Sequence, residues 1–212
     1  MHLTVIGASR GIGRETVTRA LERDHEVRAV ARTADRLPGS PRLERMAADA
    51  TRPDDMARAV EGTDAVILTL GVPRNAKVLL PTTLFSDATR ALLPAMEAAG
   101  VRRLIAVTGF GAAESEFRLS RIERLTMRAL LGRAYADKGE QERLIRASGL
   151  DWTIYRPGIL NDNRASGDVD VLVRPETWRQ GVISRADVAR VLVRAAEERL
   201  HVHETPALQR RV

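Results

Sequence analysis

Leu3-Thr4-Val5-Ile6-Gly7-Ala8-Ser9-Arg10-Gly11-Ile12-Gly13 is the stretch that decides the fold. A β-branched apolar run ends at a glycine, two more glycines follow within six residues, and a helix-period segment continues over 11–23. Gly7 permits the tight turn, Gly11 lets the backbone approach a ligand, and Gly13 lets the helix pack closely on the strand. The free N–H groups and the dipole at such a helix start favour a diphosphate. The spacing is GxxxGxG, not the commoner GxGxxG. The competing reading is a glycine-rich turn with no ligand. The small residues between the glycines and the helix that follows at once favour a phosphate cradle, formed by Gly7, Ala8, Ser9, Arg10, Gly11, Ile12 and Gly13.

Outward from this turn, apolar runs alternate with helical segments. Strands are expected at 2–6, 26–30, 43–47, 64–70, 103–108 and 152–156, and helices near 11–23, 53–61, 82–99, 117–131 and 138–147. This alternation predicts an α/β fold: one doubly wound parallel sheet with helices on both faces, a single domain over 1–212. Asp24 closes the first helix, Pro53 with Asp54 opens the second, and Gly100 stops the third, which Pro94 is expected to kink. Residues 157–182 are loop-rich, with one short strand expected at 169–173, and form a small region suited to a substrate lid. Ser184 and Asp187 then cap a final helix that runs to about 198.

The composition narrows the function. The chain has 212 residues, 34 basic and 28 acidic side chains, a net charge of +6 and no cysteine. Disulfides, thiolate metal sites and a cysteine nucleophile are excluded. No apolar run approaches the roughly 18 residues of a membrane span, and the N-terminus enters a strand directly, so a cytoplasmic protein is expected. All basic residues but Lys77 and Lys138 are arginine, spread among acids and not gathered into a patch, and only seven aromatic residues are present. Nucleic-acid binding is therefore not expected.

The second strand selects the nucleotide. An NAD site usually carries an acid about 20 residues past the glycines. Here Ala29-Val30-Ala31-Arg32-Thr33 has none. Arg32, with Arg10, can grip a 2′-phosphate, so NADP(H) is preferred over NAD(H). On the same sheet edge Asp49 can accept from the adenine amino group, or can simply open the helix before Pro53. Ala50 stands beside it, and Leu70 and Gly71 give a flat surface near the adenosine.

Taken with Lys138, Glu142 and the run Ser148-Gly149-Leu150-Asp151-Trp152-Thr153-Ile154-Tyr155-Arg156-Pro157-Gly158, almost the whole chain resembles the short-chain dehydrogenase/reductase superfamily. The resemblance is to its atypical NAD(P)H-binding branch, which holds NmrA-like proteins and flavin or biliverdin-IXβ reductases. Ile183-Ser184-Arg185-Ala186-Asp187-Val188-Ala189 resembles the branch's ISRxDVA helix start. The glycine loop departs from the branch's GxxGxxG, with Arg10 in place of the second glycine. The resemblance implies that Lys138 bonds the nicotinamide ribose and that Pro157 and Gly158 lie along the carboxamide. It also places Thr108 where standard members have a catalytic serine or its neighbour. Read without the resemblance, Lys138 is a solvated helix residue paired with Glu142 at i,i+4.

Standard members use Tyr-x-x-x-Lys for proton transfer. Here Tyr135-Ala136-Asp137-Lys138 is one residue short and Ala134 holds the tyrosine position. The offset is expected to turn Tyr135 away, against the helix at 117–131, unless Tyr135 lies in a loop before Lys138. Alcohol oxidation is then disfavoured. The leading reading is a reductase passing hydride from NADPH to a small conjugated acceptor such as a flavin or quinone, catalysing mainly by positioning. The alternative is a non-catalytic NADP(H)-binding redox sensor, although the sequence displays no obvious exposed apolar stripe. A nucleotide-sugar epimerase fits less well, because only residues 158–212 remain for its substrate region.

Phe110, Phe117, Leu160 and Trp178 are candidates for an apolar acceptor wall within 109–134 and 159–182, or for plain core. His201 and His203 share an expected strand face beside Glu204 but read as solvated tail residues, so no metal is expected. A small-molecule acceptor is the expected partner, with the chain a monomer or homodimer.

Overall fold

The computed structural model describes residues 1–71 and 82–211, without the side chains of 127–130. Among the described residues, ten strands and five α-helices run in the order β1 (His2–Ile6), α1 (Gly11–Glu22), β2 (Glu26–Ala31), β3 (Leu43–Ala47), α2 (Pro53–Val60), β4 (Ala65–Leu68), α3 (Leu84–Ala98), β5 (Arg103–Val107), α4 (Arg121–Arg146), β6 (Asp151–Pro157), β7 (Ile159–Asn161), β8 (Val169–Leu172), β9 (Val182–Ser184), α5 (Arg185–Glu197) and β10 (Ala207–Arg210). Eight strands form one sheet in the order β3-β2-β1-β4-β5-β6-β10-β8. All neighbours pair in parallel except β10 with β8. The strand order reverses between β1 and β4, and in open α/β sheets ligands bind at the carboxyl ends of the strands beside such a reversal. The expected Rossmann-type α/β fold is observed.

The reason lies in strands that are apolar on both sides. In β4, Ala65 and Ile67 join one buried cluster with Val17 of α1 and Val188 and Leu192 of α5. Val66 and Leu68 point the other way, to Met56 of α2 and Leu92 and Met96 of α3. In β5, Ile105 and Val107 divide from Leu104 and Ala106 in the same manner, as the two-residue period of a strand requires.

Three expectations fail. The helices expected at 117–131 and 138–147 are one 26-residue helix, α4, with a short 3-10 turn (Ala113–Arg118) before it. A reciprocal capping box between Ser120 and Glu123 starts α4. Gly132 and Gly139 cost about 1 kcal/mol each inside a helix, which the helix-forming residues around them and packing on α3 outweigh. The C-terminal region is also more ordered than a lid. β8 is the strand expected at 169–173, while β10 enters the main sheet between β6 and β8, and β7 and β9 form a small parallel pair. His201 and His203 lie in a turn with positive φ, not on a strand. Pro94 lies inside α3. Among the described residues, no helix is long and apolar enough to cross a membrane.

Candidate active site

The glycine loop leaves β1 and enters α1 at the sheet's carboxyl edge. The Gly7 and Ala8 amides both donate to the Val30 carbonyl, at 2.9 and 3.2 Å. Gly7 has φ +88°, and a Cβ there would lie 3.0 Å from the Thr69 carbonyl. Gly13 tolerates no side chain, since a Cβ would stand 2.2 Å from Gly7 O and 2.6 Å from Thr69 Oγ1. Gly11 opens α1 at φ +57°. The Arg10 side chain makes no cap on α1, and no acid lies in the first turn of that helix. Helix geometry therefore leaves the first amides without an intrahelical acceptor or a competing carboxylate, and this arrangement fits a diphosphate.

Arg10 and Arg32 are both exposed, at the start of α1 and just past β2. Asp49 is engaged locally: Oδ1 accepts from the Thr51 amide at 3.0 Å and the Thr51 hydroxyl at 2.8 Å. These bonds, with a smaller contribution from Arg32, hold its carboxyl below the usual range. Asp49 thus shapes the turn into α2, the plainer of its two expected roles. Ala50 is buried beside it, while Leu70 is half-buried and Gly71 exposed past β4.

At the other end, α4 delivers Lys138 to the end of β5. Lys138 is 5% exposed. Its Nζ donates to the Thr108 carbonyl at 2.7 Å and lies 4.5 Å from the centre of the Phe85 ring. Burial pulls its pKa down to about 8, against the opposing pull of Glu142 and Asp137. Lys138 is therefore no solvated partner of Glu142. That carboxylate instead accepts from Thr108 Oγ1 at 2.7 Å and from both Nε and Nη2 of Arg156. Glu114 adds a second carboxylate 3.1 Å from Arg156 Nη2, and the Arg156 guanidinium stacks 4.8 Å from the Trp178 ring. Thr108 thus spends its hydroxyl proton on Glu142 and holds Lys138 by its carbonyl.

Tyr135 lies inside α4, so it cannot pack on a separate helix at 117–131. A Cβ at Gly109 would meet the Tyr135 hydroxyl at 2.7 Å, which puts that hydroxyl against the residue next to Thr108. The displaced spacing does not carry the tyrosine away, because residues three apart on a helix still share a face. Burial raises the Tyr135 pKa and keeps the phenol protonated. Tyr135 also lines a cavity of about 320 Å³, with Gly111, Ala113, Glu116, Arg124 and Gly139. That volume lies at the lower end of small-molecule sites.

The expected apolar wall is not there. Phe110 and Trp178 are buried with Leu119 and Ala207 in a cluster of their own, Leu160 leans on the main core, and Phe117 is 77% exposed. Pro157 and Gly158 are tied into the sheet: Pro157 O accepts from the Phe110 amide at 2.9 Å, and the Gly158 amide donates to Leu208 O at 3.0 Å. A Cβ on Gly158 would lie 2.1 Å from Gly181 O, so that glycine has a packing reason. His201 Nδ1 lies 2.8 Å from the Tyr155 hydroxyl and His203 Nε2 lies 3.1 Å from Leu150 O. Among the described residues, no three His, Asp or Glu side chains are grouped to hold a metal ion.

Comparison with known proteins agrees with this geometry. A family model described as NAD(P)H-binding matches residues 7–199. The chain belongs to this NAD(P)H-binding family. It is 28% identical over 206 residues to a Bacillus subtilis protein named an uncharacterized sugar epimerase, YhfK, covering 94% of this chain and 89% of that one. Anaerobillin reductase ChuY from Escherichia coli O157:H7 matches with a TM-score of 0.82 at 26% identity, covering 99% of this chain and 97% of that one. A short-chain dehydrogenase/reductase from Veillonella parvula, solved in complex with NADP, has a TM-score of 0.81 at 17% identity over 98% and 94% of the two chains, a likeness of fold alone. This NAD(P)H-binding chain is oxidoreductase-like, with a reductase among its structural neighbours.

Two features of the site escape sequence reading. One is the buried Thr108–Glu142–Arg156 network, which joins three separate elements. The other is Asp137, whose carboxylate takes the Phe85 and Ser86 amides at 2.8 and 3.3 Å and so caps α3 from α4. That cap sets Phe85 beneath Lys138. Its only sequence signal is an acid next to the lysine.

Proposed function

We propose that this protein is an NADPH-dependent reductase of a small conjugated acceptor, such as a flavin or quinone. The observation that carries the reading is the convergence of Lys138 and Tyr135 on Thr108 and Gly109, beside a cavity of ligand size. When bound, the reduced nicotinamide supplies a hydride. The first turn of α1 and the glycine loop hold the diphosphate, and Arg10 with Arg32 grips the 2′-phosphate, which gives the preference for NADP(H). Asp49, Ala50, Leu70 and Gly71 flank the adenosine, while Pro157 and Gly158 border the nicotinamide end. Lys138 is a fixed positive charge that orients the ribose. Thr108 is a positioning residue, acting through the carbonyl that anchors Lys138. Tyr135 is the proton donor: its phenol lines the cavity and burial keeps it protonated. The chain works in the cytoplasm on a soluble acceptor.

The test is NADPH oxidation across a panel of flavins and quinones. Turnover is expected, with Tyr135→Phe lowering kcat by about a hundredfold or more while leaving cofactor affinity unchanged. Tight NADPH binding without turnover of any acceptor would count for the redox-sensor reading. That reading has one observation in its favour. Contrary to expectation, Phe117, Ile122 and Leu125 are each more than 70% exposed around the start of α4, an apolar patch of the kind a partner covers.

A further inference from the structure

The first turn of α5 returns to the glycine loop between β1 and α1. α5 packs along α1, and its start is tightly built. Ser184 accepts from the Asp187 amide at 2.9 Å, and the Asp187 carboxylate accepts from the Ser184 hydroxyl, from the Ser166 amide and hydroxyl, and from the Gly167 amide, all within 3.1 Å. This network uses the residues on either side of Arg185 and leaves its side chain out. Arg185 instead extends across the phosphate cradle. A Cβ built on Gly11 would lie 3.7 Å from its Nε and 3.8 Å from its Cδ. The side chain is only 14% exposed, and Nη1 pairs at 2.7 Å with Asp162, whose own side chain is 71% exposed. A mostly buried guanidinium is thus held over the one glycine of the loop that opens a helix, where the helix supplies amides and no acid.

We infer that Arg185 is a further cofactor-binding residue, which pairs with the diphosphate of the dinucleotide. The inference rests on reading the glycine loop as the diphosphate cradle. The chemistry is that of a rigid planar donor facing a phosphate. Asp162 occupies Nη1, and Nε, the donor nearest Gly11, belongs to a different edge of the guanidinium. The ion pair with Asp162 therefore keeps the side chain extended over the loop, while α5 carries it from the far end of the chain. Arg10 and Arg32 come from the elements that form the adenosine side. Arg185 adds a positive charge from α5, at the glycine that opens α1.

The experiment is calorimetry of Arg185→Gln and Arg185→Lys with two probes, NADP⁺ and adenosine 2′-monophosphate, which lacks the diphosphate. The expected result is a ten- to hundredfold loss of NADP⁺ affinity, on the order of a lost charged hydrogen bond, in Arg185→Gln. A smaller loss is expected in Arg185→Lys, with adenosine 2′-monophosphate affinity in both variants within about twofold of the parent. Equal losses for both probes, or NADP⁺ affinity unchanged in Arg185→Gln, overturns the inference and leaves the pair with Asp162 as a structural tie. A parent protein that binds neither probe overturns the cradle reading itself, an outcome distinct from the loss of Arg185 alone.

Discussion

Lys138 can be titrated individually, because Lys77 is the only other lysine in the chain. Replacing Lys77 by Arg leaves a single lysine, whose ¹³Cε resonance can be followed from neutral pH to about pH 11. Among the described residues, Nζ has two close partners, the Thr108 carbonyl and the Phe85 ring. The nearest carboxylates are committed elsewhere, Glu142 to Thr108 and Arg156 and Asp137 to the α3 amides. Desolvation therefore wins, and the midpoint is expected at about 8 in place of 10.5. About nine-tenths of the molecules then carry the ammonium at pH 7 and about one-tenth at pH 9. Reductase turnover should fall about tenfold across that interval if the charge orients the ribose. Between the two values the unfolded chain binds more protons than the folded one, so stability rises with pH over the window. The gap corresponds to about 3 kcal/mol as an upper bound, and should be absent in Lys138→Met. A midpoint near 10.5 in the folded protein would refute the burial argument.

Three further outcomes are expected. Arg32→Ala should weaken NADPH by about tenfold or more and NADH little, as measured by calorimetry, since only NADPH carries the 2′-phosphate; an equal loss for both removes Arg32 from that role. Gly13→Ala forces a methyl group into Gly7 O and Thr69 Oγ1, so it should cost about 1–3 kcal/mol, lower Tm by about 3–10 °C and abolish cofactor binding; a parent-like melting curve contradicts the close approach. Asp187→Asn should cost about 1–3 kcal/mol at neutral pH in denaturant unfolding. The Asp187 carboxyl is pulled down by the Ser166, Gly167 and Ser184 donors against the opposing effect of burial, so its contribution is present above the ordinary 3.8 and fades as pH falls through the lower folded value; the gap between variant and parent should close there.

The glycine loop and the strand–helix alternation made the sheet readable from sequence, because both are local patterns with one physical reading each. α4 reads from sequence as two helices with a gap over 132–137, and whether one helix continues across that gap depends on its packing on α3 and the core beside it. β10 is four residues long and gains its place by pairing with β6 and β8, two contacts no local pattern records. In the site, Lys138 stood out as one of two lysines among many arginines. Glu142 and Arg156 could be seen only as separate charges, since what joins them is the approach of α4 to β6. For Tyr135 the spacing was visible, but its geometric meaning was misjudged: three residues and four residues along a helix flank the same face.

A dinucleotide held by its diphosphate at the start of α1 is tested most directly by calorimetric titration with NADPH and NADH. Binding of NADPH at one site per chain, at least about tenfold tighter than NADH, is expected. Absence of heat with both coenzymes, in protein shown to be folded, would contradict it.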